Sequence, residues 1–304
     1  MSSTLSPRVG IVHSAAAPGA TAAVRKAVEE LAFEPVLLPA EDIRRLGRQD
    51  DLGWVIHPAG DRSLHARVRI IADLELAGFR YAGSGLAPCV LALSPAAAYR
   101  ALRAGATPLP DFAVCRTAGP GALGPVGFPV LVSCTEVTGA VEVLGPLLAE
   151  DQESLALALR AAKAGPTRPA LVLRRPEGLR FSVAVIGGDE PRVFIERLSH
   201  QAGAAPESQP GAGPAGLVAA AGAAALTAFR ALGCRDYAEV RVVAPPEGGV
   251  LVESVDPLPC LDPRRSPFVR AVTSSGLTLA AAIALIFEAA GERYGRRTAV
   301  RARA

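Results

Sequence analysis

Lysine is almost missing from this chain. Only Lys26 and Lys163 occur among 304 residues, so 30 of the 32 basic side chains are arginine. Together with 30 glycines and 26 prolines, that bias points to GC-rich coding, yet a lysine needed by chemistry would be expected to survive it. Cysteine is sparse: Cys89, Cys115, Cys134, Cys234 and Cys260 lie far apart and form no C-x-x-C pair, which argues against a zinc site or a disulfide framework and for a reducing cytoplasm. A large excess of charge of either sign is missing too. A formal net charge of +3 spread along the chain gives no basic patch for nucleic acid. The apolar stretch Leu277 to Ala290 is too short to span a bilayer and reads as a buried helix. The segment MSSTLSPRVGIVHSAAAPG has no charged leader before an apolar stretch, so no secretory signal is expected.

What remains is a globular composition, half hydrophobic and one-fifth charged, in a chain long enough for one large α/β domain or two to three small ones. RVGIVH (8–13), Val36 to Leu38 and Trp54 to His57 read as strands, alternating with helices over Ala22 to Ala32 and Arg67 to Ala77. That alternation predicts a parallel sheet with helical crossovers. Further helices are expected over Pro95 to Ala104, Ala149 to Ala164 and Leu217 to Leu232, with a hairpin turning at Gly187-Gly188-Asp189 and a surface loop from Gln201 to Gly216.

The segments GFRYAGSG (78–85), AGATPLPDF, GFPVLV, FSVAVIGGDEPRV, ALGCRDYAEV and VLVESVDPLPCL resemble, in that order, framework segments of the D-alanine–D-alanine ligases of the ATP-grasp superfamily. The resemblance runs from about Arg8 to Gly295. It implies a mixed α/β fold: an N-terminal Rossmann-like parallel-sheet domain (1–85), then a two-subdomain ATP-grasp fold of α+β character (86–178 and 179–297), with a basic tail (298–304). It implies an ATP site between two antiparallel sheets, and Mg²⁺ held by acidic side chains. These segments specify fold more strongly than activity.

Position by position, the resemblance puts unexpected residues at the chemistry. The two phosphate-binding lysines of the family correspond to Ser94 and Ser133. A serine can hydrogen-bond phosphate but cannot neutralise it. The phosphate-covering loop is EVTGAVEV, with Gly139 retained and Glu142 where a second glycine is expected; Glu142 either repels phosphate or sits as a solvated strand residue. Leu173 and Arg174 replace the paired acids of the adenine segment, Arg180 replaces the ribose acid, and Pro176 removes a backbone donor. The three metal ligands become Arg241, Ser254 and Asp256. Glu253 lies one residue away and faces the other side of its strand unless a bulge turns it back.

At roughly 4 Å and an effective dielectric near 20, Arg241 repels each unit of cation charge by about 4 kcal/mol. Arg241 is expected either to pair with Asp256, as a built-in cation, or to reach solvent. The oxyanion-stabilising arginine of the family is Glu239 here, and Ala66, Arg67 and Ile71 replace a Glu, Asp and Gln of the substrate element. His13 and His57 follow parallel strands, as ligand contacts or as locally bonded strand ends. Cys134 and Cys260 are cleft thiols or small buried side chains, and the arginines of GRRTAVRARA meet an acidic partner or only water.

Two functional classes follow. One is a catalytically silent pseudo-ligase with no cofactor, acting as a binding or regulatory partner: a homodimer, a heterodimer with a paralogous ligase, or the holder of a small molecule. The other is a working ATP-dependent carboxylate–amine ligase that uses ATP and Mg²⁺ through relocated ligands.

Overall fold

A computed structural model of the chain describes residues 8–13, 18–47, 52–59, 64–117, 121–133, 147–162, 164–165, 169–198, 208–209 and 214–301. The architecture is mixed α/β, with one parallel and two antiparallel sheets. It begins with β1 (Arg8–His13), α1 (Pro18–Glu30), β2 (Glu34–Pro39), the single-turn α2 (Ile43–Leu46), β3 (Leu52–Ile56), α3 (Leu64–Leu76) and β4 (Tyr81–Ala82). The strands pair in the order β2-β1-β3-β4, all parallel. The first helix starts at Pro18, four residues before its sequence-predicted start. Its buried residues Ala20, Val24, Ala27 and Val28 recur at helical spacing, one stripe laid against the sheet.

Next come α4 (Leu86–Ala92), α5 (Pro95–Ala104), β5 (Phe112–Cys115), β6 (Val130–Ser133), β7 (Leu147–Ala149), α6 (Gln152–Ala161) and β8 (Ala170–Arg174). They build an antiparallel sheet in the order β5-β8-β6-β7. The helix expected from Ala149 to Ala164 runs from Gln152 to Ala161, and Ala149 closes the short strand β7 instead. Asp151 separates them: its carboxylate accepts the Ser154 amide at 2.8 Å while Ser154 Oγ accepts the Asp151 amide at 3.0 Å, a reciprocal cap that fixes the helix start at Gln152.

The last unit holds β9 (Leu179–Ile186), β10 (Arg192–Leu198), β11 (Ser208–Gln209), α7 (Ala215–Leu232), β12 (Tyr237–Ala244), β13 (Leu251–Asp256), α8 (Pro267–Ser274) and α9 (Leu279–Arg301). Its strands run antiparallel in the order β11-β10-β9-β12-β13. The hairpin is where the glycine pair placed it, with Gly187 at φ +138°. The stretch read as an unstructured loop contains β11, which pairs Gln209 with Arg197 on the edge of β10; two polar residues carry too short a pattern to show in sequence. α7 is long and apolar enough to cross a membrane by length and composition alone. Its Ala221, Ala224, Ala225, Ala228, Phe229 and Leu232 are instead buried, in one core with Phe181, Val183, Val185, Val240 and Val242 of the five-stranded sheet. α8 and α9 share a different core with the parallel sheet, containing Ile11, Val55, Phe268 and Ile286.

Candidate functional site

A strand's two-residue period sorts the five-stranded sheet into two faces. Phe181, Val183, Ala238, Val240 and Val252 share the core of α7. The opposite face carries Arg180 and Ser182 of β9, Glu239 and Arg241 of β12, and Ser254 and Asp256 of β13. Pairing aligns them in rows: Ser182 with Arg241 and Arg241 with Ser254, then Ala184 with Glu239 and Glu239 with Asp256. Glu196 of β10 extends the first row opposite Ser182. Arg180, Glu239, Arg241, Ser254 and Asp256, all expected at the site, therefore share one surface.

Between Arg241 and Val242 the register slips: Arg241 pairs with Ser254 but Val242 pairs with Val252, leaving Glu253 as an extra residue on β13. This is a β-bulge, and it frees the Glu253 side chain from strict alternation. Its carboxylate meets Arg180 Nε at 3.3 Å, and its backbone carbonyl accepts the Tyr99 hydroxyl at 2.8 Å. Of the two orientations open for Glu253, the bulge selects the one that reaches the polar face.

Arg241 does not pair with Asp256. It donates to Glu239 at 3.3 Å, two residues back on its own strand, and its side chain is half exposed. Asp256 is taken from elsewhere. Arg67 Nη1 of α3 reaches its Oδ2 at 3.2 Å and the Leu258 carbonyl at 2.8 Å, while the Leu258 amide donates to Oδ1 at 2.9 Å. Asp256 thus meets Arg67 and the Leu258 amide rather than Arg241. Glu239 also accepts from Ser182 Oγ at 3.2 Å, and burial holds its carboxyl above the usual range against the opposing pull of Arg241. Glu196, almost fully buried, lies 3.4 Å from Arg270 of α8. Four carboxylates on this face thus each meet an arginine.

That arrangement is a poor match for Mg-ATP. A triphosphate needs surplus cationic charge, and Mg²⁺ needs carboxylate oxygens that are free to turn to it. Among the described residues, no three His, Cys, Asp or Glu side chains converge to hold a metal ion. Ser254 is exposed and has only a hydroxyl to offer. The remaining positions have structural occupations. Ser94 is the N-cap of α5, its hydroxyl accepting the Ala97 amide at 3.4 Å. Leu173 is buried in β8, opposite Phe112. Arg174 projects to solvent at the strand end, its amide bonded to the Asp111 carbonyl at 2.8 Å. Ser133 ends β6, half-buried. Arg180 also donates to the Pro176 carbonyl at 2.9 Å, so the segment that lost a donor to proline has its acceptor occupied as well. Gly139, Glu142 and Cys134 lie outside the described residues.

His13 ends β1, partly buried, and its carbonyl accepts the Ala40 amide at 3.0 Å. His57 is buried just beyond β3 with both ring nitrogens unpartnered. Burial, and secondarily the charge of Arg67, lowers its pKa to about 3, so the ring is neutral at any ordinary pH. Cys89, Cys115, Cys234 and Cys260 are free thiols, all pushed up by burial and therefore weak nucleophiles. The residue missed in the sequence is Arg67. Its position was recognised as a lost acid, but its partner was not.

No family model matches the sequence, and no curated protein sequence matches it. Comparison with solved structures is decisive for the fold. D-alanine–D-alanine ligase from Bacillus anthracis, in complex with ATP, superposes with a TM-score of 0.79 over 96% of this chain and 99% of that one, at 16% identity. The fold is that of the D-alanine–D-alanine ligases. The D-alanine–D-alanine ligase from Coxiella burnetii agrees (TM-score 0.78, 14% identity, 99% and 100% covered). So does the VanG D-Ala:D-Ser ligase from Enterococcus faecalis (TM-score 0.75, 15% identity, 94% and 99% covered). The match covers nearly the whole of this chain and of each of these proteins.

Proposed function

We propose that this chain is a catalytically silent member of the D-alanine–D-alanine ligase-like ATP-grasp proteins, acting as a binding or regulatory partner. The single observation that carries this reading is the pairing of Glu196, Glu239, Glu253 and Asp256 with Arg270, Arg241, Arg180 and Arg67. Among the described residues, a polar face on which these four acids each meet a guanidinium group offers few open carboxylates to a divalent cation. The serines at both expected lysine positions support the same reading. The partner is a second copy or a paralogous ligase, and the free thiols fit a cytoplasmic setting.

A second reading is favoured by the bulge at Glu253: an active ATP-dependent carboxylate–amine ligase, with Glu253 and Asp256 recruited to Mg²⁺ and Arg174 and Arg180 to phosphate. Thermal melting with and without millimolar Mg-ATP, followed by assay of ADP and phosphate release with D-alanine, separates the two. A ligand bound only by the native state at 100 times its Kd adds about 2.7 kcal/mol of stability. The silent reading expects an unchanged melting temperature and no ADP; saturable stabilisation with turnover would establish the active one.

A further inference from the structure

Two of the free thiols, Cys89 and Cys234, lie far apart in sequence and meet at one residue, Ser84. Ser84 is fully buried in the turn between β4 and α4. Its hydroxyl accepts the Arg235 amide at 3.1 Å and donates to the Arg235 carbonyl at 3.3 Å, which pins the entry to β12 against this turn. Cys234 is the next residue back, just past the left-handed Gly233 that ends α7. From α4, the Cys89 thiol donates to the Ser84 carbonyl at 3.9 Å, and the Cys89 amide to the Gly85 carbonyl at 3.4 Å, one helical turn away. Gly85 itself packs so tightly on the Arg235 guanidinium that a Cβ there would collide with it. The electrostatics agree with this proximity. Burial pushes the Cys234 thiol up, the Ser84 hydroxyl pulls the other way, and a charge on Cys89 would push it up again. Leu86, Pro88, Val90 and Leu91 line an open groove of about 810 Å³ together with Gly233 and Arg235. The two cysteines alternate with these lining residues and are 4% and 8% exposed.

We propose that Cys89 and Cys234 are an oxidisable thiol pair, a modification site at which a small peroxide entering by the groove converts them to a disulfide. The Cys89 thiolate attacks one peroxide oxygen and the O–O bond breaks. The other oxygen leaves as water after taking up a proton, and Cys89 becomes a sulfenic acid. The Cys234 sulfur then attacks the sulfenic sulfur; an S–S bond forms, the S–O bond breaks and a second water leaves. The pair loses two electrons, the peroxide gains them, and both thiol protons end in water. Burial keeps the thiols protonated at neutral pH, with Cys89 pushed up to about 12, so the reaction needs sustained exposure. Its product ties α4 to the turn after α7. The pair is independent of the polar face of the five-stranded sheet: a silent protein and an active one would share it.

Trypsin cleaves after Arg80, Arg100, Arg230 and Arg235, so each thiol falls on its own peptide, 81–100 or 231–235. The full chain is held in hydrogen peroxide, alkylated without reduction, digested and read by mass spectrometry. The two peptides are expected as one linked species that dithiothreitol separates. It should form about ten times faster for each pH unit between 7 and 9, as the thiolate fraction rises. Cys89→Ser and Cys234→Ser should each abolish it; if one variant fails to fold, the other and the wild-type peptide map carry the test. The urea-unfolded chain should instead scatter its links among the five cysteines. Three results would overturn the proposal. One is that both peptides stay free after Cys260, the one described cysteine that is not buried, has been oxidised. Another is a native protein that links Cys89 or Cys234 to other cysteines as the unfolded chain does. The third is a rate that stays flat between pH 7 and 9. ATP turnover by the wild type would bear only on the functional proposal above.

Discussion

Replacing His57 with leucine offers a quantitative test of how the parallel-sheet core meets the cleft. The ring is 3% exposed, both nitrogens lack partners, and its pKa falls from 6.5 to about 3, chiefly through burial and secondarily through Arg67. A histidine whose native pKa is depressed takes up its proton in the unfolded chain first. Its contribution is therefore intact above the unfolded value near 6.5 and is lost as pH falls toward the native value near 3. Between pH 7.5 and pH 5 the unfolded chain gains about 1.5 pH units of protonation free energy and the native protein almost none, a loss of about 2 kcal/mol. Leucine is similar in volume, does not titrate and leaves no polar atom unsatisfied. His57→Leu is therefore expected to be neutral or about 1 kcal/mol stabilising at pH 7.5. Its advantage over the wild type should widen by about 2 kcal/mol at pH 5. Urea denaturation of both proteins at both pH values measures the double difference. The sole tryptophan, Trp54, stacks on Phe287 next to the same core and supplies the signal. A gap that stays constant with pH would mean that the ring is hydrogen-bonded or hydrated in the native state, and the argument would fail.

Three further predictions concern other parts of the framework. Arg293→Gln removes a guanidinium that binds Asp236 at 2.6 Å and the Tyr81 carbonyl at 2.7 Å, leaving a buried carboxylate that retains only the Gly83 amide; a loss of about 3 kcal/mol is expected in chemical denaturation. Glu239→Gln removes a carboxyl whose native pKa is raised, a type of group that is most favourable protonated and destabilises as pH rises through its native pKa; the variant is expected to be at least as stable as wild type at neutral pH, and to lose ground to it on acidification in the same assay. Gly178→Ala places a methyl group into the Ala244 carbonyl oxygen at φ +130°, so a loss of about 2 kcal/mol or more in melting experiments is expected at the entrance to β9.

Much of the fold could be read before any coordinates because its signals are local. RVGIVH alternates with an apolar helix and reappears as β1 followed by α1 in a parallel sheet; the glycine pair at 187–188 turns the β9–β10 hairpin; Pro95 and Gly105 bound a helix that runs from Pro95 to Ala104. Where short patterns carried too little signal, the reading slipped. β7 was not expected, its Ala149 being counted into the following helix, and β11 was read as loop, as each has three residues or fewer.

The candidate site positions Ser94, Ser133, Arg180, Glu239, Arg241 and Ser254 were named from residue type and resemblance alone. Their partners were not visible. Arg241 was expected to reach either Asp256 or solvent; Asp256 is held by Arg67 from 189 positions earlier in the chain, and Arg241, half exposed, folds back onto Glu239. Glu253 was left open between two faces until a one-residue register slip decided it. Sequence alone determined which residues the chain brings to the cleft, because propensity and hydrophobic period act over a few neighbours. Only the tertiary structure decided which charges neutralise which, because ion pairing depends on side-chain reach between elements that folding, not chain order, makes adjacent.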